Sequence, residues 1–366
     1  MGNTGLRRMR QSGCPTLVIG KGSNEVIKSV IIGVSGGRAH GLAEAYRHVR
    51  RGRLVAVSTR QRDNLDAFGD KFGVAARYTD YHEMFEKKQP DLVHLNTPPS
   101  VRLEIFEAAE KAGVPAVLVE KPLAIQGEDY LSIRQFSKNA RVKIAINHQL
   151  HFHPRRQYLQ NLVQDGAIGD IRFIEASAGL NLAYQGTHAL QSIGAFSPRS
   201  KPINVFAQDS GASSLTETPK HHYAPDQCVA SINYDNGLTA LLRCGDNAPR
   251  VIRNPAAHVH KRIAVYGTKG FIHWTMHNWE TNIDQAYESG EHIYGEEDVL
   301  GQAAMTEAMI DWITDEQAIH PLNIDQALSD FSVLIGIYQS AVNHDVVALP
   351  MDPQPNLLGR LRTALR

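Results

Sequence analysis

Two stretches carry most of the chemistry that residue type and spacing alone can show. Gly33-Val34-Ser35-Gly36-Gly37-Arg38-Ala39-His40 follows an apolar run and precedes residues at helical spacing. A glycine-rich turn there lets backbone N–H groups and a helix N-terminus hold a pyrophosphate. The match to G-x-G-x-x-G is imperfect, because Ser35 stands for the second glycine and Arg38 for the third. A plain strand-to-helix turn is the competing reading. Further on, Ser58-Thr59-Arg60-Gln61-Arg62 closes the next apolar run, and no acid occurs before Asp63. An acid at that point would hydrogen-bond a ribose 2′-hydroxyl. Hydroxyls and guanidinium groups suit a 2′-phosphate instead. The pattern therefore favours NADP over NAD, while a one-residue shift would let Asp63 serve NAD. The 17 histidines include His221-His222, His258-x-His260 and His273-x-x-x-His277. None of these has cysteines or a set of carboxylates beside it, so no metal site is expected.

The elements that must position these groups come in two styles. Val30–Val34, Leu54–Val57, Leu92–Leu95, Val117–Val119 and Val142–Ile146 are short, largely apolar runs, with His94 and Lys143 as the polar exceptions, and helical spacing lies between them. Such strands belong to a parallel sheet covered on both faces, which binds ligands at its carboxyl edge. The second half changes character. Asp170–Leu180 is a long alternating strand. Asp235-Asn236-Gly237 and Gly267-Thr268-Lys269-Gly270 sit between paired alternating runs and predict hairpins. Two helices follow, the last opening at Asn323. The fold class is thus α/β, an N-terminal doubly wound parallel sheet followed by an α+β domain with a mostly antiparallel sheet. The divisions are a polar arm over 1–28, a dinucleotide-binding domain over 29–149 and a second domain over 150–366.

Composition narrows the partners. The 366 residues carry 38 Lys+Arg against 38 Asp+Glu, so the chain lacks the basic footprint of a nucleic-acid binder. Apolar runs are strand-sized and exclude a membrane span. Three cysteines, Cys14, Cys228 and Cys244, make no disulfide framework, which fits a cytoplasmic setting. Arg7-Arg8 before Leu17-Val18-Ile19 imitates a twin-arginine signal, but its apolar part is short and Lys21 interrupts it.

Several motifs converge on one family. Asn96-Thr97-Pro98-Pro99, Ala112-Gly113-Val114-Pro115 followed by Glu120-Lys121-Pro122, Asp165-Gly166-Ala167-Ile168-Gly169, Gly267-Thr268-Lys269-Gly270 and Ser340…Leu349-Pro350 occur in this order. From about residue 29 to the C-terminus the chain resembles the glucose-fructose oxidoreductase / inositol dehydrogenase / rhizopine catabolism (Gfo/Idh/MocA) family. The resemblance implies a Rossmann domain and a second domain with a large open sheet. It also implies a bound nicotinamide cofactor, sugar, glycoside or cyclitol substrates, and a homodimer or homotetramer built through that sheet. Gly33, Ser35, Gly36, Gly37, Arg38, Ser58, Thr59, Arg60, Arg62, Asn96, Thr97, Pro98, Glu120 and Lys121 are then the cofactor-binding set.

For catalysis the resemblance points to Lys121, whose ammonium at a strand's carboxyl end can stabilise a developing alkoxide. His188, expected near its ordinary pKa, is the general base or acid. The family usually has Asp and His four residues apart, and here Tyr184 stands at the aspartate position. Tyr184 can orient substrate or relay a proton, but supplies no fixed negative charge. Gln191 likewise replaces a frequent aspartate. Asn147, His148, His151 and His153, in a segment where the family often has Arg-Phe-x-Pro, are candidates for substrate hydroxyls. The expected reaction is hydride transfer to or from a secondary hydroxyl. The alternative is a glycoside-cleaving enzyme that oxidises, eliminates and re-reduces with tightly held cofactor.

Overall fold

The computed structural model describes residues 26–216, 222–249 and 260–365. The N-terminal arm up to residue 25 lies outside the described residues, as do His221 and His258. The first strand, β1 (Ile27–Ile32), opens inside the stretch read as arm. It leads through α1 (Gly37–Ala45) to β2 (Gly52–Ser58), α2 (Arg62–Phe72) and β3 (Arg77–Tyr78). Then follow α3 (Tyr81–Lys88), β4 (Leu92–Leu95), α4 (Arg102–Lys111), β5 (Ala116–Glu120), α5 (Gly127–Ser137), β6 (Lys143–Asn147) and α6 (Pro154–Gln164). The six strands pair in the order β3-β2-β1-β4-β5-β6, all parallel. This is the order of a doubly wound dinucleotide-binding sheet. Leu92–Leu95 is buried at every position, His94 included, whose ring is hydrogen-bonded to the Tyr46 hydroxyl at 2.7 Å. Local signals set the helix ends: Asp80 caps α3 by accepting from His82 N at 2.8 Å, and Gly73 stops α2 at φ 68°.

A second, nine-stranded sheet holds β7 (Ile171–Ala178), β8 (Pro202–Ser210), β9 (Gln227–Tyr234), β10 (Thr239–Cys244), β11 (Lys261–Gly267), β12 (Gly270–Thr275), β13 (Asn278–Ile283), β14 (Ala286–Glu291) and β15 (Val347–Ala348). Its order is β14-β13-β12-β11-β7-β10-β9-β8-β15. Both predicted hairpins are present, and only the β7–β10 pair is parallel. Sequence patterning passes over β8 and the β13–β14 hairpin. In β14, five of six residues are exposed and the sixth is partly so, which leaves no apolar alternation to detect.

Helices α7 (Thr187–Phe196) and α9 (Ile324–Asn343) cover the inner face of this sheet, and α10 (Leu357–Ala364) follows α9. The helix opening at Asn323 is therefore not the last, because an eight-residue segment with three buried leucines folds as one more. Helix α8 (Tyr294–Thr314) crosses back to the parallel sheet. Its Ala303, Met305, Met309 and Ile310 bury against Ile27, Leu92, Ala116, Leu118 and Ala145. One face of the first sheet is thus closed by a helix from the far end of the chain, and the two halves share packing.

The Asn323 side chain caps α9 by accepting from Asp325 N at 3.0 Å and Gln326 N at 3.2 Å. Asn323→Ala is expected to lower unfolding free energy by about 1 kcal/mol in urea titration, the usual value of an N-cap. An unchanged midpoint would contradict that role.

Candidate active site

The carboxyl edge of the parallel sheet is where the sequence motifs meet. Gly33 ends β1 at φ 88°, and its N–H donates to the Ser58 carbonyl at 2.8 Å. A Cβ there would lie 3.0 Å from the Asn96 carbonyl carbon and oxygen, so both conformation and crowding demand glycine. Gly36 and Gly37 differ: a Cβ on either meets nothing within 4 Å. Gly36 is the N-cap of α1, with no side-chain cap and no acid in the first turn. An uncapped helix start with open space beside its two glycines is what a pyrophosphate cradle needs. The residues present therefore fit a dinucleotide. Asn96 Nδ2 and Thr97 Oγ1, beside Gly33, are buried without hydrogen-bond partners among the described residues.

The edge expected from the sequence to meet an adenosine is only partly arranged for it. Ser58 is buried, while Arg60 is exposed. Arg62 is drawn along its own helix to Asp66, 3.1 Å away. Ser35 joins Gln61 and Asn64 through hydrogen bonds of 3.3 Å and 3.0 Å, linking the glycine turn to the start of α2. Gln61 and Asn64 were not singled out from sequence. Buried Arg102, also unforeseen, donates to the Thr97 carbonyl at 3.1 Å and to the Pro122 carbonyl. It ties together the loops that follow β4 and β5, and burial lowers its pKa to about 9.

Lys121 leaves β5 at this edge, and 8% of its surface is exposed. Its ammonium donates to the Tyr184 carbonyl at 2.7 Å and lies 4.8 Å from the centre of that tyrosine's ring. Burial brings its pKa down to about 8, Glu120 opposing the shift and Arg38 and Arg102 adding to it. Tyr184 sits in a π-helical turn, Leu182–Gly186, between β7 and α7. Its half-exposed ring stacks on His222 at 3.7 Å. The contact with Lys121 is thus made by main chain and ring face, with the hydroxyl left out of it.

One turn on, His188 is 3% exposed, and its Nδ1 lies 3.3 Å from Nδ1 of His148, which follows β6. Burial, then the charge of Lys261, pushes the His188 pKa well below its ordinary value. The sequence expectation of a near-neutral pKa is corrected by that desolvation. His148 is pushed down to about 3, also by burial first. Both rings are neutral at pH 7, and one donates to the other. Asn147 reaches Gln302 of α8 at 3.4 Å, and its Oδ1 is buried without a partner.

His151 and His153 turn away from this pair. His151 Nδ1 meets Gln191 Nε2 at 3.1 Å and lines a separate polar cavity of about 270 Å³ with Gln157, Gln160 and Gln326. His153 is fully buried, 3.7 Å from Glu297 and 3.5 Å from Asp298, against Trp274 and Tyr294. Its place is in the packing of α8. His273 lies between Arg262 and Glu280, at 2.8 Å and 2.7 Å, in a polar chain on the second sheet.

Two further groups line the cleft: Arg38, which the sequence placed in the cofactor-binding set, and Lys261, which it did not single out. Arg38 pairs with Asp298 of α8 at 3.0 Å and lies 3.9 Å from Glu120. Lys261, at the start of β11, is 7% exposed and meets the Tyr294 hydroxyl at 3.2 Å. Burial lowers its pKa to about 7, with Arg38 and Lys121 contributing. The signal available in sequence was a lysine opening an apolar strand, after residues that carry no recognisable motif.

The fold is a doubly wound parallel sheet of the dinucleotide-binding type joined to a second, mostly antiparallel sheet. Residues 27–148 match the model of the oxidoreductase family with an NAD-binding Rossmann fold, GFO_IDH_MocA. The match to this Gfo/Idh/MocA model lies in the N-terminal part of the chain, over the parallel sheet. A dTDP-3,4-didehydro-2,6-dideoxy-alpha-D-glucose 3-reductase of Streptomyces violaceoruber is 28% identical over 159 residues, 43% of this chain and 46% of that protein. A D-apiose dehydrogenase of Paraburkholderia graminis is 28% identical over 125 residues, 34% of this chain and 33% of that one. The matched stretch thus spans less than half of either relative. The whole fold is shared with an oxidoreductase from Agrobacterium radiobacter solved with NAD+, L-tartaric acid and magnesium. The TM-score is 0.75 at 17% identity, over 88% of this chain and 98% of that one. No helix among the described residues is long and apolar enough to cross a membrane.

The glycines separate cradle from backbone demand. Gly33→Ala is expected to cost about 1–3 kcal/mol of stability, from positive φ in a residue with a side chain. Gly37→Ala should leave the thermal midpoint unchanged or slightly higher, since alanine favours helix, yet weaken nicotinamide dinucleotide binding measured by fluorescence titration. Equal effects of the two changes on both readouts would contradict the assignment.

Proposed function

We propose that the protein is a nicotinamide-dependent dehydrogenase or ketoreductase acting on a secondary hydroxyl of a sugar, glycoside or cyclitol. The observation that carries the reading is the His148–His188 pair within reach of the Lys121 charge, which acts on both rings, while Lys121 is held by the Tyr184 carbonyl at the carboxyl edge of the parallel sheet. The relatives named as a sugar reductase and a sugar dehydrogenase support it. The cofactor, when bound, accepts or supplies hydride. Lys121 hydrogen-bonds the reacting oxygen and favours its developing negative charge. His188, kept neutral by burial, takes the hydroxyl proton in oxidation and returns it in reduction. His148 holds the ring of His188 in place through the shared Nδ1 contact. The ring of Tyr184 walls the cleft over Lys121, and Asn147 offers its unpartnered oxygen to a hydroxyl.

NADP is preferred over NAD in this proposal, with Arg60 the 2′-phosphate contact, because Arg62 is engaged by Asp66. The assembly is a homodimer or homotetramer formed through the outer face of the nine-stranded sheet. Ile203, Phe206, Val229 and Tyr266 are exposed there at 36% or more. Clustered apolar exposure of this kind marks an interaction surface.

His188→Ala and Lys121→Ala should each lower kcat by about 10²–10⁴-fold with cofactor binding retained. Tyr184→Phe should be milder than either, because its hydroxyl does not meet Lys121. A dead Tyr184→Phe beside an active His188→Ala would reverse the roles. The pH profile follows from the shifted groups. Lys121 is charged below about 8, so kcat/KM should fall as pH rises through about 8. His188 stays neutral well below pH 6.5, so no fall is expected between pH 7 and 6. An acid limb centred near 6.5 would contradict its burial. Arg60→Ala should raise KM for NADP about tenfold more than for NAD, the size of one charge-assisted hydrogen bond. A wild-type preference for NAD would sink that choice. Light scattering should show a dimer or tetramer, and Val229→Asp should shift it towards monomer. A monomeric wild type at micromolar concentration would contradict the interface.

A further inference from the structure

A cavity of about 270 Å³ lies between α6, α7 and the start of α9, and none of Lys121, His148 and His188 lines it. Six carboxamide side chains do: Gln157, Gln160, Asn161 and Gln164 from α6, Gln191 from α7 and Gln326 from α9. Among the described residues that line it, His151 is the one titratable group, and burial pushes its pKa down to about 3. Its ring is neutral at pH 7, so the lining carries no charge. Asp330, which accepts from Gln326 Nε2 at 2.9 Å, stands behind that wall and outside the lining.

Two of the amides are buried and only half satisfied. Gln160 is 2% exposed; its Oε1 accepts from Gln157 Nε2 at 3.3 Å, and its Nε2 has no partner among the described residues. Gln191 is 3% exposed; its Nε2 meets His151 Nδ1 at 3.1 Å, and its Oε1 has no partner among the described residues. Turning the Gln191 amide over would only exchange which of its two polar atoms is left unpaired. A buried polar atom without a partner is costly, and two in one cavity wall ask for an occupant that both donates and accepts.

The lining decides the class of that occupant. A carboxamide pairs with donor and acceptor alike, and so does a hydroxyl. An ion entering here would lose its hydration and meet no opposite charge. An apolar ligand would leave Gln160 Nε2 and Gln191 Oε1 unpaired. Ala195, Pro198 and Pro321 add small apolar surface that suits the C–H edges of a ring. The volume of about 270 Å³ is about nine waters' share of the liquid. It falls just under the range of about 300–1,000 Å³ usual for drug-sized ligands, which suits one sugar ring and excludes two. We propose that this cavity is a second binding site, for one neutral polyhydroxylated molecule of monosaccharide size, separate from the cleft that holds Lys121 and His188. The proposal does not depend on the hydride-transfer reading of that cleft.

The test is titration calorimetry on the full chain saturated with reduced nicotinamide dinucleotide, which cannot oxidise a polyol. The probes are myo-inositol, D-glucitol and D-glucose, with D-gluconate and D-glucosamine as charged counterparts. At least one neutral probe should bind at a site that survives Lys121→Ala. Asn161 is an exposed residue of α6 at the cavity wall, so Asn161→Trp should fill the space, leave the fold intact and abolish that binding. Gln191→Leu should weaken it about 3- to 10-fold, the size of one neutral hydrogen bond. Asn161→Trp keeps the test open if Gln191→Leu does not fold. Crystals grown with the bound probe should show its hydroxyls on Gln160 Nε2 and Gln191 Oε1. Binding that is lost in Lys121→Ala and untouched by Asn161→Trp would put the polyol in the cleft and overturn the proposal. No saturable binding of any neutral probe at millimolar concentration, with ordered water alone on the two amides, would overturn it as well. D-gluconate or D-glucosamine bound there more tightly than the neutral probes would overturn the class of ligand.

Discussion

The hydrogen bond from Lys121 Nζ to the Tyr184 carbonyl, 2.7 Å long, joins the two sheets at the point where chemistry is proposed. Lys121 belongs to the end of a parallel strand, and Tyr184 to the π-helical turn that follows the first strand of the second sheet. The carbonyl holds the ammonium in a cleft that would otherwise reject it, and the tyrosine ring closes over the same charge. Because α7 starts directly after this turn, the position of His188 follows from it. A cation held by one neutral acceptor in low dielectric is poised to give its stronger hydrogen bond to an oxygen that gains charge.

The scaffold makes that contact hard to loosen. Helix α8 carries Asp298 to Arg38 and Gln302 to Asn147, and it closes one face of the parallel sheet with its apolar side. Arg102 ties the loops after β4 and β5 from beneath. The cradle at Gly36 and Gly37, the lysine and the histidine pair are therefore held by elements drawn from both halves of the chain. Burial also sets their charge states. It lowers the pKa of Lys121, of Lys261 and of both histidines, which leaves neutral imidazoles beside ammonium groups.

Much of this was legible in the residues. Val30–Val34 and the glycines after it announce a strand, a tight turn and a helix start, because each is encoded within a few positions. Asp235-Asn236-Gly237 encodes its hairpin in the same local way. What escaped depends on contacts across the chain. Lys261 meets Tyr294 at a separation that no periodicity reveals. Arg102 lies within an ordinary helical stretch, and its burial is set by loops on either side of it. His151 and His153 share type and neighbourhood with His148, yet a single 3₁₀ turn, Gln149–Phe152, rotates them out of the pair. The pKa of His188 likewise depends on how completely the fold excludes water, which the amino-acid string does not carry.

The central claim is that this cleft moves hydride between a substrate carbon and nicotinamide under the hand of Lys121 and His188. It is tested most directly by isotope transfer. Polyols deuterated at each carbinol carbon are incubated with the protein and oxidised cofactor, and the reduced cofactor is analysed by mass spectrometry. The account predicts one deuterium in the cofactor from a single labelled carbon, lost in Lys121→Ala and His188→Ala. Cleavage of a glycoside with no net reduction of cofactor, or reduced cofactor that carries no label from any carbinol position, would contradict it.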